Sequence, residues 1–135
     1  MTKYINDEAL RTVFHIPSDA PAWEQCSTTV DYHLQHEASL WIYDILRFNY
    51  RILFYCGDTD AAVACHGTRK WLKKLNWTKT SDWRPWNTDN QVTGYTESYE
   101  GLDLVTIHGV GHMAPQWARK PTTTMINNWI KGNDI

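Results

Sequence analysis

The sequence predicts an α/β fold, and more narrowly the C-terminal part of one. Two apolar runs carry that prediction. Arg51–Cys56 ends abruptly at the turn Gly57-Asp58-Thr59-Asp60, and Leu102–Ile107 ends at His108-Gly109-Val110-Gly111-His112. Runs of this kind suit strands covered on both faces, and helical patterns stand between and after them. A third observation limits the fold. Two parallel strands and one hairpin leave a parallel sheet short of neighbours, so the expected architecture is an incomplete, mostly parallel sheet with flanking helices, whose partner lies elsewhere.

The chain has 135 residues, 42% hydrophobic and 21% charged, with a formal net charge of -2. That length suits one domain or a portion of one, here residues 1–50 as a helical lead-in and 51–135 as the strand-bearing part. Thirteen basic against fifteen acidic residues make no electrostatic footprint for nucleic acid. No run approaches the roughly 20 apolar residues of a membrane span, and Met1–Asp7 does not read as a signal sequence. Eight tryptophans and seven tyrosines are rich in apolar area, a surplus expected to bury against something outside the chain.

Asn6-Asp7-Glu8 reads as a helix start with acidic first-turn residues, backed by Ala9, Leu10, Val13 and Phe14 and closed before Pro17. Residues 16–28 are a loop. A second helix is expected from Glu37 to Asn49, with Leu40, Trp41, Ile45 and Phe48 on one side. After the first strand, Gly57–Gly67 forms a loop and Thr68–Leu75 a helix. Its Arg69, Lys70, Lys73 and Lys74 are read as a solvated face. Ser81–Gly101 alternates into a hairpin turning near Asn87–Asn90. Pro121 opens a last helix, with Met125, Ile126, Trp129 and Ile130 inward and Gly132 as its stop.

An acidic residue and a histidine at the ends of neighbouring strands suggest two members of a nucleophile–His–acid triad. Asp60 would orient the ring, and His112 would act as base. The order acid-then-histidine is the tail of the α/β-hydrolase order, in which a Gly-x-Ser-x-Gly elbow comes first. The serines here are Ser18, Ser27, Ser39, Ser81 and Ser98, and none sits in such an elbow. The rival reading makes Asp60 a turn cap, a duty for which Asp58 is the better candidate, and His112 a packed core residue. His33 and His36 stand three apart on a possible helix face, yet no third ligand accompanies them. No metal or cofactor is called for. Asn76-Trp77-Thr78 is a glycosylation sequon. Cys26, Cys56 and Cys65 form an odd set without zinc spacing. Cys56 and Cys65 either pair across the Asp60 loop or leave a thiol beside it.

Taken together, Gly57-Asp58-Thr59-Asp60, Gly67-Thr68-Arg69, Trp83-Arg84-Pro85-Trp86, Gln91-Val92-Thr93-Gly94-Tyr95 and Gly109-Val110-Gly111-His112-Met113-Ala114-Pro115 resemble the serine carboxypeptidases. Tyr4-Ile5-Asn6 and Trp23-Glu24-Gln25-Cys26-Ser27 extend the resemblance over nearly the whole chain. It implies an α/β-hydrolase fold and a lysosomal, vacuolar or secreted exopeptidase that removes one C-terminal residue from peptides. Asp60 and His112 map onto the triad, and Met113 onto the wall of the leaving-residue pocket. Cys26 maps onto a cysteine bridged to the N-terminal half. The nucleophilic serine belongs to that half, the implied partner, so the chain resembles a processed light chain or a truncated product. The alternatives are a remnant without turnover, or an acyltransferase or hydroxynitrile lyase on the same fold, since fold does not fix reaction.

Overall fold

A computed structural model describes residues 1–33 and 40–135. The expected helix start at Glu37, together with His36 and Ser39, lies outside the described residues. The chain divides into two compact units, 1–35 and 36–135. The first contains α1 (Thr2–Ile5) and α2 (Glu8–Val13). The helix start expected at Asn6-Asp7-Glu8 is capped by Asp7, its Oδ1 accepting from the backbone N–H groups of Ala9 and Leu10. The expected single helix is preceded by the separate short turn α1, and His15, at φ 55, ends it. Asn6 is a link within this unit. Its Nδ2 donates to the Trp23 carbonyl at 2.9 Å, and its Oδ1 accepts from the Trp23 N–H at 2.7 Å.

The second unit is a mixed four-stranded sheet in the order β1-β4-β3-β2. These are β1 (Ile52–Gly57), β2 (Lys79–Thr88), β3 (Gln91–Tyr99) and β4 (Leu102–Ile107), with α3 (Leu40–Leu46) ahead of β1. β1 and β4 are parallel, Ile52 opposite Leu102 through Gly57 opposite Ile107. This is the strand pair predicted, and it is α/β. The β2–β3 hairpin adds two antiparallel pairings. Its turn residues Asp89 and Asn90 both have φ near +55 to +60, the backbone that twists two strands into a tight hairpin. Pro85 lies in β2, at the sheet edge among the described strands, where its missing N–H does least harm.

Side chains of β4 alternate between two cores. Leu102 and Leu104 face Leu72, Trp77 and Tyr99, with Phe54 and Trp71 at the margin. Val105 and Ile107 face Trp86, Ala114 and Met125. Period-two alternation thus gives helices on both faces of one strand. α4 (Cys65–Leu72) covers the first face, and α6 (Arg119–Lys131) covers the second, beyond the short α5 (Ala114–Trp117).

Several boundaries and faces differ from expectation. α4 starts at Cys65, three residues before Thr68, because Gly67 is accommodated in the first turn, and its tail tightens into a 3₁₀ turn at Lys73–Leu75. Arg69 leaves the expected solvated face. It turns inward to the fully buried Glu97, an ion pair no one-dimensional pattern reveals. α6 begins at Arg119, two residues before Pro121, and ends at Gly132 with φ 72 as expected. Ile130 points outward and is 62% exposed, whereas Met125 is fully buried. In α3 and after it, Trp41, Ile45 and Phe48 are exposed. The apolar side forecast for that helix exists, and nothing in the described residues of this chain covers it.

Candidate active site

The site forms where β1 and β4 end side by side. The parallel ladder runs one residue past β1, the Asp58 N–H donating to the Ile107 carbonyl at 3.0 Å. The Thr59 N–H then donates to Val110 at 3.1 Å. The two loops are therefore stitched by backbone before any side chain acts. Gly57 makes that approach possible. A Cβ there would collide with the carbonyl oxygens of Val110 and Gly111, so only glycine admits the histidine loop at this distance. Gly109, at φ +74, supplies the left-handed turn that sends the chain across.

The loops deliver Asp60 and His112 to each other. His112 Nδ1 lies 2.9 Å from Asp60 Oδ2. The other oxygen, Oδ1, accepts from the N–H groups of Ala62 at 2.8 Å and Val63 at 3.0 Å. Asp60 is thus both the turn cap of the rival reading and the partner of the histidine. Asp58, expected to do the capping, does not. Its two oxygens reach across to His108 and Gly109. The Asp60 side chain is 5% exposed and that of His112 57%. One end of the imidazole is anchored in the protein while the ring meets solvent. His112 is therefore not a packed core histidine.

The Val63 N–H, followed by the His112 imidazole, holds the Asp60 carboxyl below its ordinary value against the opposing effect of burial. A carboxylate that accepts two backbone hydrogen bonds stays ionised and cannot rotate freely. Its second oxygen is left to fix the ring through Nδ1, which turns Nε2 outward as the position able to exchange a proton. A cleft of about 570 Å³ opens beside the pair, lined by Thr59, Ala62, Val110, Gly111, His112 and Trp117. Trp117, which sequence reasoning passed over, stands against Gly111 and remains 59% exposed.

Cys56 and Cys65 form a disulfide, which closes the loop carrying Asp60 and removes the alternative of a thiol beside it. Cys26 is an exposed free cysteine. Met113 follows His112, precedes α5 and is 42% exposed. Asn76 is exposed and adopts the left-handed conformation at the end of the 3₁₀ turn. His33 is described and His36 is not; among the described residues no group of three or more His, Cys, Asp or Glu is placed to hold a metal ion. No described helix is long and apolar enough to cross a membrane. None of the described serines is hydrogen-bonded to His112; Ser27 bonds with Thr29, and Ser81 with the Asp82 carbonyl.

The serine carboxypeptidase family profile matches residues 1–132. The chain belongs to the serine carboxypeptidase family. Serine carboxypeptidase-like 12 of Arabidopsis thaliana is 32% identical over 98% of this chain, and the match spans 31% of that relative. Serine carboxypeptidase-like 8 of the same plant is 33% identical, again over 98% of the chain and 31% of the relative. Serine carboxypeptidase 1 of Hordeum vulgare is 31% identical over 99% of the chain and 28% of its own length. The chain thus spans less than a third of these relatives. Two of the motifs that carry the family resemblance, Trp83–Trp86 and Gln91–Tyr95, meet across the hairpin. Trp86 pairs with Gly94 across the hairpin, and its indole N–H donates to the Thr106 carbonyl at 2.8 Å beneath the site.

Proposed function

We propose that the chain is the C-terminal portion of a serine-type carboxypeptidase and supplies the acid and base of its triad. The observation that carries this reading is the His112 Nδ1 to Asp60 Oδ2 hydrogen bond at 2.9 Å, with the ring open to solvent. In this reading a serine of an N-terminal half attacks the peptide carbonyl. His112 accepts the serine proton at Nε2 and returns it to the departing amino acid, while Asp60 steadies the imidazolium. A second acyl transfer, to water, frees the enzyme. Met113 lines the space for the leaving residue, Cys26 bridges to the missing half, and Asn76 carries a glycan on a secretory or vacuolar route. The exposed Trp41, Ile45 and Phe48 and the edge of β1 that no described strand pairs are surfaces that the partner half covers.

The experiment is an intact-mass measurement of the native protein, non-reduced and reduced, with a fluorophosphonate probe for activated serine. A heavier species that takes up the probe and releases this chain on reduction supports the reading. A carboxypeptidase assay on N-blocked dipeptides then completes it. A lone chain near 15.8 kDa that takes up no probe would remove turnover from this molecule, leaving a family remnant without catalysis.

A further inference from the structure

The Asp60–His112 pair has a neighbour of the same chemistry with no role in the scheme above. His108 Nδ1 lies 2.7 Å from Asp58 Oδ2, and the Gly109 N–H donates to Asp58 Oδ1 at 2.7 Å. Both oxygens of one carboxylate from the β1 loop are therefore spent on the histidine loop. The pair is open to water, the His108 side chain 70% and the Asp58 side chain 32% exposed. A solvent-exposed contact of this kind adds little to the stability of the fold. Its geometry is more telling. Gly109 and Gly111 flank Val110, and two glycines in three residues leave the approach to His112 with much backbone freedom to lose. Asp58 grips the first of those glycines by its N–H and the residue before it by its side chain. The turn at 108–109 is thereby held at the point from which residues 110–112 cross Gly57.

We propose that Asp58 and His108 form a clasp that positions His112 against Asp60, so that both are positioning residues for the base. Asp58 is anchored by its own N–H on Ile107, and is therefore a fixed post rather than a mobile partner. Loss of the clasp frees the 108–111 turn, lets the His112 ring leave Asp60 Oδ2, and allows the ring proton to redistribute between its two nitrogens. Oriented catalytic groups lose much of their effect through displacements of about 1 Å. The proposal rests on the reading of Asp60 and His112 as acid and base, but its test needs no turnover.

The test is long-range proton–nitrogen NMR of the full chain labelled in histidine, with His112 assigned by its loss in His112→Asn. In the wild-type chain at neutral-to-basic pH, His112 is expected as the Nδ1–H tautomer with a hydrogen-bonded ring proton. His108→Ala should lose that signal while circular dichroism shows the fold retained. His108→Asn, which keeps an N–H donor where Nδ1 stands, should restore it; neither variant carries a charge, so the difference isolates the hydrogen bond. If His108→Ala fails to fold, Asp58→Ala gives the same reading, because it removes both oxygens that hold His108 and Gly109. An unmoved His112 signal in the folded variants would overturn the clasp alone. A mobile His112 already present in the wild-type chain would overturn the clasp together with the pairing it serves.

Discussion

Arg69 grips Glu97 with two parallel hydrogen bonds, Nε to Oε1 at 3.0 Å and Nη2 to Oε2 at 3.3 Å, joining α4 to β3. Lys79 donates to the same Oε2 at 3.2 Å, from β2. Glu97 is fully buried, and the Arg69 guanidinium also lies 3.9 Å over the Trp83 ring, which stacks on Tyr95. A buried carboxylate is tolerated only when paired, and here two cations and an aromatic plate close around it. This network holds α4, and with it the end of the disulfide-closed Asp60 loop, against the sheet.

Removing one side of the network should cost more than removing the other. Arg69→Leu leaves Glu97 buried with Lys79 alone and is expected to lower stability by about 3 kcal/mol, the lower end for a broken buried pair. Glu97→Gln leaves cations that are about one-third exposed and can rehydrate, so its loss should be smaller, about 1–2 kcal/mol. Urea unfolding of the three proteins checks the order. Equal losses would show that Glu97 is not the buried member.

Acid should weaken the chain through the same carboxylate. Burial pushes the Glu97 carboxyl up, but Arg69 and Lys79 outweigh it and hold the group below its ordinary value of 4.5. Asp60 is likewise held below 3.8. With folded values lower than unfolded ones, the unfolded chain takes up protons first as pH falls. The contribution of both groups is therefore complete above about pH 5 and shrinks as pH drops through the unfolded and then the folded values. Unfolding midpoints should be flat from neutral to about pH 5 and decline below it, and Glu97→Gln should flatten part of that decline.

Glycines at two positions should respond in opposite directions to the same added methyl. Gly57→Ala puts a Cβ into the Val110 and Gly111 carbonyls. It should displace the histidine loop, destabilise by about 2 kcal/mol or more, and separate His112 from Asp60. Gly67→Ala adds a Cβ that meets nothing, within α4. It should stabilise by about 0.5–1 kcal/mol. Thermal unfolding of both variants, with the His112 ring signal as a second readout, checks the contrast.

The Cys56–Cys65 disulfide spans nine residues of sequence. Its loss in a Cys56→Ala, Cys65→Ala double variant should lower stability by about 2–3 kcal/mol, from the loop-closure entropy returned to the unfolded chain. Proteolysis should then cut first between residues 57 and 64, and an uncut loop would show that the backbone stitches to Val110 and Ile107 suffice without the bond.

How far the fold could be read in advance depended on the range of the interactions that decide each part. β4 was legible to the residue, since its apolar run is bounded by turns at both ends, and the polar run 87–90 marked the hairpin turn, which the structure narrows to Asp89 and Asn90. The helix start at Asn6-Asp7-Glu8 and Gly132 as a stop were likewise local. Pairing Asp60 with His112 was legible because each ends a strand, and the Asp58–His108 contact was not, although both residues stood in the motifs. A second carboxylate beside the first reads as a turn residue until the opposing loop is placed.

From the amino-acid sequence alone come the α/β class, the two strands that end in polar loops, the incompleteness of the sheet and the family to which the motifs belong. Each rests on short-range pattern: apolar period, turn chemistry, capping. Tertiary structure alone decided that Arg69 turns inward to a buried Glu97, that Cys56 finds Cys65, that Ile130 faces water, and that Asp60 divides its oxygens between a turn and an imidazole. Those outcomes depend on which groups arrive together when β1 and β4 lie side by side. A carboxylate looks the same in a sequence whether it will cap a turn, meet an arginine or hold a histidine, and only the neighbours brought by the fold distinguish the three.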